Sequence, residues 1–323
     1  MLHRQDVGHR VVIRRLAGTR DGRPLFSDVL GQLIDLSETH VTVTTATGTL
    51  QVPLAEIHRA KRVPPPRRPA TRDTIALEHA ANEAWPAPVQ DRLGDWLLRA
   101  GGQSDQTNSA LPIGDPGRPL DAAIAAVARW YAERGQRPLM TVPLPLAAPV
   151  DAALSERGWT AGPRTLVQTA SLAAIPDPSR PDLPPVTVSS APSDAWLALT
   201  ATHTATPLPA EAEHPLTPGS RLRYAHAYAD TGELVGIAQG VITGGGRWLG
   251  IAMLEVVPAA RRHGVARRIV GALAAWAREE GARDVFVHVA EDNVAAVELS
   301  RRLGFRTHHR RRTRAAPAAG SDR

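Results

Sequence analysis

Two stretches of this chain carry the same punctuation. Trp130, Gly135, Gly158 and Trp159 fall at offsets of 0, 5, 28 and 29, and Trp276, Gly281, Gly304 and Phe305 repeat those offsets. Each set sits in the same local grammar. A helical pattern, Leu120 to Arg134 or Val265 to Glu280, stops at a glycine able to take the left-handed cap conformation. An apolar strand follows, Leu139 to Leu144 or Val285 to Val289, then a second helical pattern ending in glycine plus an aromatic. Such a chain is predicted to contain a duplicated α/β unit. Strand patterns precede the second copy at Leu222 to Ala229, Glu233 to Ile242 and Trp248 to Val257, with Gly244-Gly245-Gly246 as the hairpin turn between the last two. In the first copy the corresponding hairpin is expected from Asp95 to Ala100 and Asn108 to Ile113. The fold class expected is α/β, with mixed sheets flanked by helices.

Residues 8 to 63 read differently. Short β-branched runs (Arg10 to Arg14, Val29 to Leu36, His40 to Thr45, Thr49 to Val52) with tight turns predict a small closed barrel, which resembles an SH3-like barrel. Pro64-Pro65-Pro66-Arg67-Arg68-Pro69 then stiffens the chain into a linker. The expected order is a barrel over 1–64, a linker over 65–74, a first half over 75–175, a second half over 184–315 and a disordered tail over 316–323. The stretch Pro176 to Pro185 separates the halves.

The 323 residues contain no cysteine, so disulfides and thiolate chemistry are excluded. Any nucleophile is an oxygen, a nitrogen or a substrate group. The opening residues carry no apolar run, and no apolar stretch of roughly 18 residues occurs anywhere, so neither export nor a membrane span is expected and the expected location is cytoplasmic. The formal charge of +6 comes almost wholly from arginine, Lys61 being the single lysine. Such a balance attracts phosphate-bearing partners, either a nucleic acid or a nucleotide cofactor.

The most informative segment runs from Leu254 to Arg267. A strand there leads into a tight loop that opens a helix whose apolar face is Val265, Ile269, Leu273 and Trp276. The first turn of a helix has unpaired N–H groups and a partial positive charge, so it can hold a phosphate or pyrophosphate. Gly264 and Ala266 let the backbone approach closely, and Arg261, Arg262 and Arg267 add charge. By itself such a loop also reads as an ordinary strand-to-helix turn with solvated arginines.

Two motifs in register add to this. Arg261-Arg262-His263-Gly264-Val265-Ala266 resembles the GNAT acetyltransferase signature Gln/Arg-x-x-Gly-x-Gly/Ala. Asn293, Ala296, Leu299, Leu303, Gly304 and Phe305 resemble the superfamily's second motif, Asn-x-x-Ala-x-x-Leu-Tyr-x-x-x-Gly-Phe. The whole chain is similar to a subgroup in which an SH3-like domain precedes two GNAT halves, here with a degenerate first half. Trp96 to Ala100 and Asn108 to Pro112 carry that weaker likeness. The resemblance implies acetyl transfer from acetyl-CoA to an amine, with no metal. Backbone amides around Arg262, His263, Gly264, Val265 and Ala266 would hold the pyrophosphate, with Arg261 and Arg267 beside them. The pantetheine arm would lie along the strand ending at Val256 and Val257, and Asn293 would support it.

The reaction needs a neutral amine, an oxyanion donor and a proton route to the leaving thiolate. Glu255 on the cradle strand is a candidate general base, acting directly or through water, and it also reads as a solvent-facing glutamate. His288 alternates away from Val287 and Val289, so it faces either the acceptor cleft or a partner within the sheet. The family pattern puts a tyrosine acid seven positions after the asparagine, and here that position is Ser300, a weaker acid that either positions a water or has no role.

The first copy offers a contrast. Gly114-Asp115-Pro116-Gly117-Arg118-Pro119 replaces amide donors with prolines and adds a carboxylate, so that half is not expected to bind CoA. Two other classes remain open: nucleic-acid binding through the barrel and the arginines from Arg301 to Arg314, and CoA sensing without turnover. The sequence does not specify the acceptor, a small molecule or a protein amine; His203, Glu211, Glu213 and His214 lie in a region that either receives a cationic amine or is a solvated loop.

Overall fold

Alternating β-branched residues turn the described residues between Arg10 and Arg62 into a sheet. The computed structural model describes residues 2–20, 22–45, 48–63, 69–102, 104–176, 186–201 and 221–317, in two compact units, Met1–Arg68 and Pro69–Arg323. Unit one contains β1 (Arg10–Arg20), β2 (Arg23–Leu36), β3 (His40–Thr45), β4 (Gly48–Pro53) and β5 (Ile57–Arg62), in the antiparallel order β4-β3-β2-β1-β5. Val11, Ile13, Val29, Leu33, Val41, Val43 and Val52 form its core. The expected closed barrel is not formed, because no ladder joins β4 to β5 among the described residues. Pro53 ends β4, and a short turn over Leu54–Glu56 redirects the chain to the far side of β1, so the two edge strands never come into register.

Unit two opens with α1 (Thr71–Ala84), which begins inside the stretch read as linker. Then come β6 (Val89–Leu93), β7 (Trp96–Ala100), α2 (Leu120–Ala132), β8 (Leu139–Leu144), α3 (Ala148–Glu156) and β9 (Thr160–Ser171). After them follow β10 (Val186–Ser189), α4 (Asp194–Ala201), β11 (Arg221–Tyr228), β12 (Leu234–Thr243), β13 (Trp248–Val256), α5 (Val265–Glu279), β14 (Asp284–Ala290), α6 (Val294–Arg302) and β15 (Arg306–Ala315). β7 pairs with β6, and the segment expected as its hairpin partner makes only isolated bridges, Leu97 to Leu111 and Ala110 to Met140. Residues 202–220, which include His203, Glu211, Glu213 and His214, lie outside the described residues. No helix among the described residues is long and apolar enough to cross a membrane.

All four repeat glycines are left-handed: Gly135, Gly158, Gly281 and Gly304 have φ of 64°, 71°, 87° and 87°. Each closes its helix in the same way. The amide one residue further on reaches back to a carbonyl five residues earlier, Gln136 to Tyr131, Trp159 to Leu154, Ala282 to Ala277 and Phe305 to Ser300. The repeated spacing is therefore a repeated helix stop.

The large sheet has the order β10-β11-β12-β13-β14-β9-β15-β8, with β13 and β14 the parallel pair. Two strands are exchanged. β14 takes β9 from the first half as its partner, and β8 takes β15 from the second, while β9 and β15 pair antiparallel between them. The offset that separates Trp130 from Trp276 also carries Thr160–Thr169 onto Arg306–Ala315, the two spans of that central ladder.

β15 contains the arginine run. It is an interior strand, paired on both sides, and several of its basic side chains meet acids. Arg311 and Arg314 are buried. Glu78 on α1 accepts hydrogen bonds from Arg311 Nε at 2.6 Å and Nη2 at 2.5 Å, and lies 2.5 Å from His309 Nε2. Asp151 on α3 takes Arg314 Nε at 2.8 Å and Arg312 Nη1 at 3.4 Å. Glu78 and Asp151 thus take Arg311, Arg312 and Arg314 out of any nucleic-acid face, while Arg301, Arg302, Arg306 and Arg310 remain exposed.

Burial would raise the Glu78 carboxyl, but the Arg311 charge and the hydrogen bonds from His309 and Arg311 outweigh it and hold the group far below the carboxylate range. A depressed acid stabilises the fold above its unfolded value, about 4.3, and loses that contribution as pH falls towards the folded value. Glu78→Gln is expected to lower unfolding free energy by about 3–5 kcal/mol, because it strands a buried arginine. Denaturant unfolding followed by circular dichroism measures this, and the variant's stability should fall less steeply than wild type below about pH 4. A loss under about 1 kcal/mol would place the pair among solvent-screened ones.

Candidate functional site

A wedge opens in the sheet between β13 and β14. Their parallel ladder runs from Trp248 and Asp284 to Ile251 and Val287 and stops there, although β13 continues to Val256 and β14 to Ala290. The cause is local. Met253 has φ of +53°, and the β12–β13 register slips by one residue between the pairs Gln239–Ala252 and Ile237–Glu255. This bulge keeps β13 on β12 and bends it away from β14. Val257 N–H donates to Val235 O at 3.0 Å, and Val256 O accepts from Arg261 Nε at 2.9 Å. Beyond Ile251 the edge of β13 towards β14 makes no ladder pair, along the stretch that leads to Val256 and Val257.

Beyond β13 the chain makes a short turn over Pro258–Ala260 and enters α5 through two left-handed residues, Arg262 at φ 68° and Gly264 at φ 82°. A non-glycine residue there costs roughly 1–2 kcal/mol. No side chain caps α5. The amides of residues 262–267 have no backbone partner among the described residues. Arg261, Arg262, His263 and Arg267 are exposed, Val265 is buried, and residues 258–267 contain no acid. This is a cationic run of free donors, the electrostatic complement of a diphosphate.

The sheet holds that helix entrance in place. A Cβ at Gly236 would lie 2.9 Å from Ile269 Cδ1 and 3.0 Å from Val265 Cγ1, and one at Gly240 would lie 2.9 Å from Leu273 Cδ2. Glycine at these two positions of β12 lets α5 sit directly on the sheet, with Val265, Ile269, Leu273 and Trp276 buried beneath it.

The first half has no such run. Asp115 Oδ1 accepts from Gly117 N–H at 2.8 Å, Asp95 Oδ2 accepts from Asp115 N–H at 2.9 Å, and Pro119 occupies the N-cap of α2. Carboxylates of the chain itself occupy donors that an anion would need.

The opposite face of the wedge carries titratable groups. Glu255 pairs with Ile237 and shares its face of the sheet, where Phe286 and His288 of β14 also project. Trp85, at the end of α1, stands edge-on to Phe286 at 5.7 Å and to His288 at 6.0 Å, and its Nε1 donates to Gln239 Oε1 at 3.3 Å. Burial, and next the Arg311 charge, push the His288 imidazole well below its ordinary value. Glu255 and His288 are legible in the sequence as site candidates; Trp85, Gln239 and Glu78 are not, and Arg311 is legible only as part of the basic run. The signal for Glu78 was a lone acid in step with Thr74, Leu77 and Ala81 on the apolar face of a helix.

Asn293 is exposed and caps α6, its Oδ1 accepting from Ala296 N–H at 3.1 Å. Ser300 is 7% exposed, in the last turn of α6. No metal-binding group of three or more His, Asp or Glu occurs among the described residues.

Residues 71–314 match the family described as "Probable histone acetyltransferase Rv0428c C-terminal". The chain is 33% identical over 330 residues to the probable histone acetyltransferase Rv0428c of Mycobacterium tuberculosis, covering 98% of this chain and 97% of that protein. Among solved structures, a GCN5-related N-acetyltransferase from Kribbella flavida aligns with TM-score 0.54 at 15% identity, over 79% of this chain and 98% of its own. A tandem GNAT protein from the clavulanic acid biosynthesis pathway aligns with TM-score 0.51 at 19% identity, over 75% and 88%. These two likenesses concern the fold.

Gly264→Val puts a β-branched residue at a left-handed position and tilts the first amides of α5. Calorimetric titration with coenzyme A should show affinity weakened about five- to thirtyfold, the counterpart of the roughly 1–2 kcal/mol left-handed cost. Unchanged affinity would remove the helix entrance from the binding site.

Proposed function

Since the chain belongs to the family of the probable histone acetyltransferase Rv0428c and is a GNAT-type acetyltransferase, we propose that it transfers acetyl from acetyl-CoA to a primary amine by direct attack on the thioester. The observation that carries this is the unpartnered amide run of residues 262–267, aligned with a wedge whose second face presents Glu255 and His288. Bound acetyl-CoA supplies the activated acyl group.

The residues divide the work by position. Amides from Arg262 to Arg267, with Arg261 and Arg267 beside them, hold the diphosphate, and His263 lies at the same exposed corner. The backbone of β13 from Ala252 onward, freed by the Met253 bulge, orients the thioester and donates to its developing oxyanion. Glu255 takes the amine proton, directly or through water. Asn293 shapes the far wall as the cap of α6. Ser300 stands where the superfamily places a tyrosine, and a serine hydroxyl relays a proton to the thiolate only through water. The first half packs beside the second in a tandem arrangement without a cradle of its own.

The relative's name refers to histone. For this chain a protein amine and a small-molecule amine are both acceptors of the right chemistry. A CoA sensor without turnover is the reading that Ser300 favours, and thiol release tests it. Thiol release from acetyl-CoA over an amine panel, with calorimetric titration of acetyl-CoA and of RNA, tests the function. Acetyl-CoA should bind and RNA should not bind comparably. Glu255→Gln should lower kcat by about 10²–10⁴-fold, with acetyl-CoA affinity retained. Binding without thiol release from any amine would instead favour the sensor.

A further inference from the structure

His288 presents a hydrogen-bonding demand that the described residues leave unmet. Its Nδ1 lies 3.4 Å from Arg311 Nη1, and a guanidinium offers hydrogens but no acceptor. Nδ1 is therefore the lone-pair nitrogen, and the proton of the neutral ring sits on Nε2. That Nε2 is shielded from solvent and has no hydrogen-bond partner among the described residues. Trp196 Nε1 and Trp276 Nε1 are unpaired as well, and what sets His288 apart is its place where β13 and β14 separate; a ligand is one way to satisfy such a donor.

Neighbouring groups hold the ring in this state. Glu78 accepts from Arg311 Nε and Nη2 at 2.6 and 2.5 Å, and Gln106 Oε1 accepts from Nη1 at 3.3 Å, so the guanidinium cannot swing aside. Phe286 at 5.6 Å and Trp85 at 6.0 Å flank the imidazole. Behind it lies a surplus of positive charge. Arg99 and Arg311, at 5% and 4% exposure, have Glu78 as the one carboxylate in contact with either among the described residues. Arg99 instead donates to Ser109 and Asn82, and burial lowers it to about 10, still charged at neutral pH.

Place decides what this donor reads. His288 is the first residue of β14 beyond the last β13–β14 pair, on the face it shares with Glu255. That is where the two strands part, so an acceptor seated in the wedge with an oxygen beside its amine is placed to meet Nε2. An α-amine meets this condition through the carbonyl or carboxylate on its own carbon. A lysine ε-amine or a polyamine, surrounded by methylenes, does not.

We propose that His288 is the specificity-determining hydrogen-bond donor of the acceptor site, its Nε2–H reading the oxygen beside an α-amine, so that amino acids or peptide N-termini are the preferred acceptors. The inference rests on the acetyl-transfer reading above. Glu78 and Arg311 are positioning residues that fix the tautomer, and His288 is a donor rather than the base.

Thiol release by the full chain is measured with L-alanine, an alanine tripeptide with a free N-terminus, and an N-acetylated peptide whose one amine is a lysine side chain. At least one of the first two should exceed the third in kcat/KM by about tenfold or more, and the two together separate the free amino acid from the peptide. His288→Ala should cut that preference on the order of tenfold to a hundredfold. His288→Gln, which keeps an N–H donor but cannot titrate, should restore most of it. Nitrogen NMR of histidine-labelled protein should show the Nε2–H tautomer.

An Nδ1–H tautomer overturns the proposal whatever the kinetics. So does a preferred lysine peptide, a glutamine variant as impaired as the alanine one, or wild type that binds acetyl-CoA but turns over no α-amine. If acetyl-CoA itself fails to bind in calorimetric titration, acetyl transfer falls first and the acceptor assignment with it.

Discussion

A carboxylate with no access to water, Glu78 on α1, ties together elements that are remote in sequence. It meets Arg311 and His309 of β15, more than 230 positions away along the chain. Burying an ion costs several kcal/mol, and only close, well-directed partners offset it. The pairing therefore specifies one arrangement: β15 enters the sheet between β9 and β8, with its arginines turned towards α1 and α3. Asp151 repeats the device with Arg312 and Arg314. One buried acid, Glu78, and one half-buried acid, Asp151, are thus the reason an arginine-rich strand can occupy the interior of a sheet.

The exchange of β9 and β15 has a consequence for the site. β14 is held on one side by β9 for its whole length, from Asp284 to Ala290, and on the other by β13 only as far as Val287. A strand so anchored does not follow its neighbour when the Met253 bulge bends β13 away. The wedge is therefore a stable feature of a closed hydrogen-bond network and not a frayed edge. Its two walls serve different chemistry. Helix α5, seated on Gly236 and Gly240, delivers free amides and arginines to one side, and the α1 face offers Glu255, His288 and Trp85 to the other.

The same buried cluster reaches that second wall. Arg311, immobilised by Glu78, leaves His288 with its proton on Nε2 and a pKa well below the ordinary range, first through burial and then through the guanidinium charge. Stability and selectivity share residues here. A group that orders the core also faces one nitrogen of the His288 imidazole through Arg311, so changes at Glu78 act on both.

Local physics made much of the chain legible. Helix α5, the loop at Arg261 to Ala266, and the strands around Gly244-Gly245-Gly246 follow from period, turn chemistry and glycine placement, which act over a few residues. The repeated glycines were visible as spacing because each must stop a helix in the left-handed conformation, which few other residues adopt. What spacing leaves undetermined is partnership. Whether β14 pairs with β15 or with β9, whether Asp95 to Ala100 pairs forwards or backwards, and whether two edge strands close a barrel depend on contacts between distant segments. The arginines from Arg301 to Arg314 illustrate the limit. Sequence alone determines that they are cations. Only the tertiary structure, by setting Glu78 and Asp151 against β15, decides that two of them are buried partners of carboxylates and that one orients a histidine, because the sign and cost of a buried charge depend on what surrounds it in space.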